Sequence, residues 1–207
     1  MHPNQSFRKP NDAGNIAFAQ DRGFGVLAVN HDDGPLIAHI PFALNDAGTV
    51  ADLHLIRSNP ILRCLDTPQN AVIAVSGPDG YVSPDWYEVP DQVPTWNYVA
   101  VHLRGTLERL PQDQMHAMLD MQSAHFEDQL APKPPWLTTK MTPDVLDKMM
   151  RQIVPCRLNV TAINGTWKLN QNKPDDVRLR AADKVETSTT GSETQTLAHL
   201  MRHPPQS

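Results

Sequence analysis

From residue 24 onward the chain is written in short apolar runs separated by turn residues. Phe24–Asn30 (FGVLAVN) closes on the turn HDDG, Leu36–Asn45 (LIAHIPFALN) closes on DAG, and Thr49–Arg57 (TVADLHLIR) alternates apolar with polar positions. Runs of this length between Gly, Asp and Asn clusters predict strands. Connections this short predict a meander of antiparallel hairpins. Ala71–Ser76 (AVIAVS) is the most strand-like run, with GPDG expected to turn it and Tyr81–Ser83 to continue. Asn97–Leu110 predicts a long strand, with Val99, Val101 and Leu103 on one face and Ala100, His102 and Arg104 on the other. Val154–Leu169 returns to the same period through Cys156, Leu158, Val160 and Ala162, with a turn expected at Asn164-Gly165.

Helical spacing occupies the remainder. Asn11 is the expected N-cap of a short helix that sets Ile16 and Ala19 on one face and stops at Gly23. Asn59 is the expected cap of a second, with Pro60 in the first helical position, where a missing N–H costs nothing. Between Pro111 and Leu130 the residues Met115, Met118, Leu119, Phe126 and Leu130 share a face, and Thr142 caps a helix running to about Gln152. Asp175–Lys184 reads as helical, Glu186–Glu193 as Ser/Thr-rich and mobile, and Thr196–Arg202 as a last turn or two. Six or seven strands and three or four helices, joined by hairpins rather than βαβ units, predict a mainly β (α+β) fold, an antiparallel barrel with helices packed outside it. The expected division is one domain over residues 1–185 and a partly mobile or helical tail over 186–207.

Composition narrows the function. The 207 residues suffice for one generous domain. The 19 prolines are about twice ordinary usage, but they are dispersed, so they punctuate strands rather than form a polyproline linker. Eighteen basic against 23 acidic residues leave a net charge of −5 and no Lys/Arg block, the opposite of a nucleic-acid footprint. No apolar run approaches the roughly 18 residues of a membrane span, and the N-terminus shows no secretory h-region; the expected location is the cytoplasm. Two distant cysteines, Cys64 and Cys156, exclude a disulfide framework and a Cys-type zinc site. Nine histidines without HExxH or HxH spacing, His39 and His54 on separate strands among them, give no ground for a metal. Neither a GxSxG elbow nor a GxGxxG fingerprint occurs, which removes the Rossmann architecture but not flavin mononucleotide. No residue announces itself as catalytic.

Two segments carry chemistry. VPTWNY (Val93–Tyr98) gathers a proline, a hydroxyl, an indole, an amide and a phenol where a loop enters a strand. WKLNQN (Trp167–Asn172) ends a strand in a lysine and three amides, a set suited to a ligand with carbonyls and a phosphate. Together with HIPF (His39–Phe42), LHLIRSNP (Leu53–Pro60), SGPDGYVSPDWY (Ser76–Tyr87) and VPTWNYVAVHLRG (Val93–Gly105), the chain resembles, from residue 1 to about 180, the PaiB-type FMN-binding negative transcriptional regulators. The resemblance implies the split β-barrel of pyridoxamine-phosphate-oxidase-like flavoproteins, a homodimer with FMN at the subunit interface.

On that reading Arg57, at a strand end before the Asn59-Pro60 helix, and Lys168 are the cations for the phosphate. His39, His54 and Asn59 stand with Arg57 as cofactor-binding residues. Thr95, Trp96 and Asn97 supply a hydroxyl, a stacking face and an amide, while Gln171 and Asn172 close the site. The family name implies a DNA partner, yet no helix-turn-helix, basic helix or positive excess is present. The function expected is therefore a flavin- or redox-linked regulator that binds FMN. The alternative is an FMN- and NAD(P)H-dependent oxidoreductase with no direct DNA role.

Overall fold

The computed structural model describes residues 2–8 and 12–205; the N-cap expected at Asn11 lies outside them. Seven strands form one sheet in the order β1 (Phe24–Val29), β2 (Leu36–Leu44), β3 (Val50–Ile56), β6 (Ile153–Lys168), β5 (Thr95–Arg109), β4 (Gln69–Val82) and β7 (Gly191–Ser192). The meander expected of the first three strands is present, in antiparallel register with Val26 opposite His39 and Phe42 opposite Leu53. A further antiparallel pairing sets Val26 opposite Ala74 and Val29 opposite Ala71, joining β1 to β4. Six strands thereby close into a barrel, and α-helices pack outside it, as the pattern predicted.

The chain divides into two compact units. The first comprises Ile16–Ala74 and Leu103–Ile163 and contains the barrel closure. Its core is the inward alternation of its strands: Leu27 and Val29, Ile40 and Phe42, Leu53 and Leu55, Leu103 and Leu107, Cys156 and Leu158 are all buried. Outside lie α1 (Asp12–Arg22, all but its first turn), α2 (Ile61–Cys64), α3 (Met115–Asp128) and α4 (Pro143–Met150). The face of α3 differs from the expected stripe. Met115 and Met118 are buried, but Leu130 lies beyond the helix and is 52% exposed, and Gln122 takes a buried place. Gln122 is there because its Nε2 donates to the Asp52 carbonyl at 2.9 Å.

The second unit comprises Met1–Asn15, Val75–His102 and Asn164–Ser207. Here two expected turns are strand. GPDG lies within the unbroken β4, where Asp79 and Gly80 pair with Ser192 and Gly191 of β7. Turn chemistry is outvoted by a partner strand, and a Cβ on Gly80 would already stand 3.0 Å from the Leu197 side chain. Asn164-Gly165 likewise lies within β6. Gly165 is small because a Cβ there would stand 2.1 Å from Asn15 Oδ1, the same atom that accepts the Trp167 indole N–H at 2.9 Å. Within the segment set apart as a tail, β7 is followed by α6 (Thr194–Arg202), longer than the turn or two expected. Its Leu197, Ala198 and Met201 are buried, as are Ala181, Ala182 and Val185 of α5 (Asp175–Glu186).

Overpacking at such a contact costs typically 1–3 kcal/mol. Gly165→Ala should therefore lower the melting temperature by roughly 4–8 °C if the cost is about 2 kcal/mol in a chain of this size. Circular dichroism reads the shift; an unchanged midpoint would show that Asn15 yields freely.

Candidate functional site

The sequence candidates fall into two sets, one in each unit. In the barrel-bearing unit, Arg57 follows β3 and is exposed. Its Nε donates to the Arg151 carbonyl at 2.7 Å and its Nη2 to Gln112 Oε1 at 2.8 Å and to the Ile153 carbonyl at 3.3 Å. These bonds fasten the start of β6 and leave the Nη1 edge as the part that no described residue engages. Asn59 does cap, its Oδ1 accepting from the Ile61 N–H at 3.0 Å. The helix, however, starts one residue later than expected, at Ile61, with Pro60 in the N-cap position, and runs only to Cys64. Four residues sum to a small macrodipole, so this helix gives an anion little help.

His39 is exposed on β2. His54, opposite Pro155 on β6, is half-buried, with Nδ1 2.9 Å from Gln122 Oε1. Because the Gln122 amide already donates through Nε2, its Oε1 faces the ring, and Nδ1 of His54 is the donor. Beside them Arg157 forks onto Asp52 at 2.7 and 2.9 Å, and that bond raises the arginine's pKa further. The structure thus spends His54 on a polar network beneath α3, together with Asp52, Gln122 and Arg157, which sequence reasoning passed over.

In the other unit, Thr95 and Asn97 share one face of β5 by strand alternation, and Trp96 takes the opposite face. The Lys168 ammonium donates to Thr95 Oγ1 at 2.5 Å and lies 5.9 Å from the centre of the Phe7 ring. Burial pulls the Lys168 pKa below the ordinary lysine range. Among the described residues no carboxylate pairs with it. Asn97 is wholly buried, and neither its Nδ2 nor its Oδ1 has a hydrogen-bond partner among the described residues. Trp96 is 42% exposed, donates to Asp79 Oδ1 at 3.1 Å and stands edge-on to Tyr81 at 6.3 Å.

Gln171 is consumed by the backbone. Its Oε1 accepts from the Leu169 N–H at 2.8 Å, and its Nε2 donates to the Trp167 and Ser6 carbonyls. Asn172 is exposed. The amide of this motif with a tertiary role is Asn170, buried at φ +60° and donating to the Tyr87 hydroxyl at 3.1 Å. Asparagine tolerates the left-handed region, which is the signal that an amide just past a strand end offered. Lys173, also unforeseen, lies 4.2 Å above the Tyr87 ring and donates to Gln92. Burial raises the Tyr87 pKa against the bond from Asn170.

A half-buried ammonium held by a hydroxyl, on the strand face that also carries an unsatisfied amide, can receive an anion and a neutral polar group. The chain is 27% identical over 186 residues to the "Protease synthase and sporulation protein PAI 2" of Bacillus subtilis (strain 168), covering 89% of this chain and 88% of that protein. Among solved structures it is similar to the flavocytochrome Anf3 from Azotobacter vinelandii, with TM-score 0.61 at 14% identity over 93% of this chain and 81% of that one. It is also similar to the FAD and heme binding protein from Mycobacterium smegmatis, with TM-score 0.57 at 17% identity over 83% and 78%. At these identities the likeness is one of fold. Residues 1–162 match the family described as "Putative FMN-binding domain". The chain belongs to this family, in its PaiB type, and its cofactor is FMN.

Proposed function

We propose that this protein is a flavin- or redox-linked regulator, homodimeric, with FMN at the subunit interface and with Lys168, Thr95 and Asn97 among the groups that hold it. The observation that carries the reading is Lys168: a desolvated ammonium whose described polar partner is a hydroxyl. Charge in that setting is stabilised by an anion, and FMN ends in a phosphate. The buried Asn97 amide has unmet capacity for both a donor and an acceptor, and a flavin offers both on its ribityl chain and uracil edge. Arg57, in the barrel-bearing unit, keeps its Nη1 edge as a separate candidate for an anion. The residues present therefore fit the group.

Bound FMN supplies reversible hydride and electron transfer, while the protein binds and orients it. Two of the chain's own reactive groups are held in resting states. The Cys156 thiol is buried, with its pKa pushed up to about 12 by desolvation, and the Tyr87 hydroxyl is bonded to Asn170. The net charge of −5 favours control through a partner or through the dimer over direct grip on DNA.

Three outcomes test this. Lys168→Met should weaken FMN at least about tenfold, the loss of one charge-assisted contact, and leave riboflavin nearly unaffected; equal losses for both ligands would place the lysine outside the phosphate site. Arg57→Ala is read in the same fluorescence titration. Light scattering should give twice the 23.1 kDa chain mass, and a monomer at micromolar concentration would remove the interface. Turnover of NAD(P)H with free FMN should stay below about 1 per second, the low end of enzyme rates. A faster rate would make the protein a reductase.

A further inference from the structure

We propose that His199 and His203 form a two-imidazole site for a divalent transition-metal ion at the end of α6. His203 N donates to the His199 carbonyl at 3.0 Å, so the last helical turn is closed and the two side chains rise from it one turn apart. Their ring centres are 5.1 Å apart at an interplanar angle of 53°. Two imidazoles bound to one ion through metal–nitrogen bonds of about 2.0–2.1 Å place their ring centres about 5 Å apart. The spacing present in the protein is within reach of a shared ion.

The surroundings favour a cation at this point. Leu197, Ala198 and Met201 are buried and anchor the opposite face of α6, which leaves both histidines exposed. A helix C-terminus carries partial negative charge, and Pro204 follows directly, so the carbonyls of the last turn stay outside any continuing helix. The one cation in this turn, Arg202, is drawn toward α5, where it pairs with Asp183 at 2.8 Å and Glu186 at 2.7 Å. Its charge is spent there. Neutral imidazole suits Ni²⁺, Cu²⁺ and Zn²⁺, whereas Mg²⁺ and Ca²⁺ need oxygen ligands. Two protein donors leave further coordination positions for water or a group from another molecule.

The test is calorimetric titration of the untagged full chain with NiCl₂, and in parallel with ZnCl₂ and MgCl₂. One Ni²⁺ per chain should bind at this site, Zn²⁺ should compete for it, and Mg²⁺ should not. His199→Ala and His203→Ala should each weaken it at least tenfold, and the double substitution should abolish it. His31→Ala and His2→Ala should leave it unchanged. FMN affinity, the same in every variant, verifies that the fold is intact. Retention of the site in the double variant, or sensitivity to only one of the two histidines, would overturn the proposal.

Discussion

The pairing of β1 with β4 is the constraint from which the barrel follows. A six-stranded sheet with Val26 opposite Ala74 and Val29 opposite Ala71 has no free edges across those strands, and closure is the only complete remedy for unpaired backbone groups. Closure also decides which side chains are core. Once the sheet has an inside, alternation along β3 sends Ala51, Leu53 and Leu55 inward and leaves Asp52 and His54 on the outer surface. Those polar groups must then be satisfied under the helix that covers them. Gln122 and Arg157 do this, and it explains an amide on the buried stripe of α3 where an apolar residue would otherwise sit.

Most of this was legible from periodicity, because the barrel strands alternate cleanly and their hairpins are short. What misled were dipeptides whose local chemistry points one way and whose partners point another. GPDG and Asn164-Gly165 have turn composition. Yet Gly80 and Gly165 are small for the neighbours they meet, Leu197 and Asn15, which lie over 100 residues away in the chain. No local window contains that information. The same holds for Leu130, which continues the helical period of α3 but falls past its end.

Candidate site residues were legible as motifs but not as roles. Of the amides in WKLNQN, Gln171 looked like a ligand and serves the backbone, while Asn170 was overlooked and anchors Tyr87. Residue type announces hydrogen-bonding capacity; only the fold shows where it has been spent. Asn97 is the converse case, an amide whose capacity is left over among the described residues. An unsatisfied buried group costs about 1–3 kcal/mol.

Lys168 joins this cost to acidity. Its pKa lies below the ordinary 10.5 because burial penalises the charged form, so the unfolded chain binds the proton more readily than the folded one. The penalty on folding is present in full below the depressed pKa and fades as pH rises toward 10.5. An anion beside the ammonium acts in the opposite sense: it stabilises the charged form and restores the pKa. Folding and protonation of Lys168 are thus linked through a single side chain, and an anion placed beside the ammonium would offset the penalty. A cation half-buried beside a hydroxyl is costly to a folded chain, and an opposite charge beside it offsets that cost.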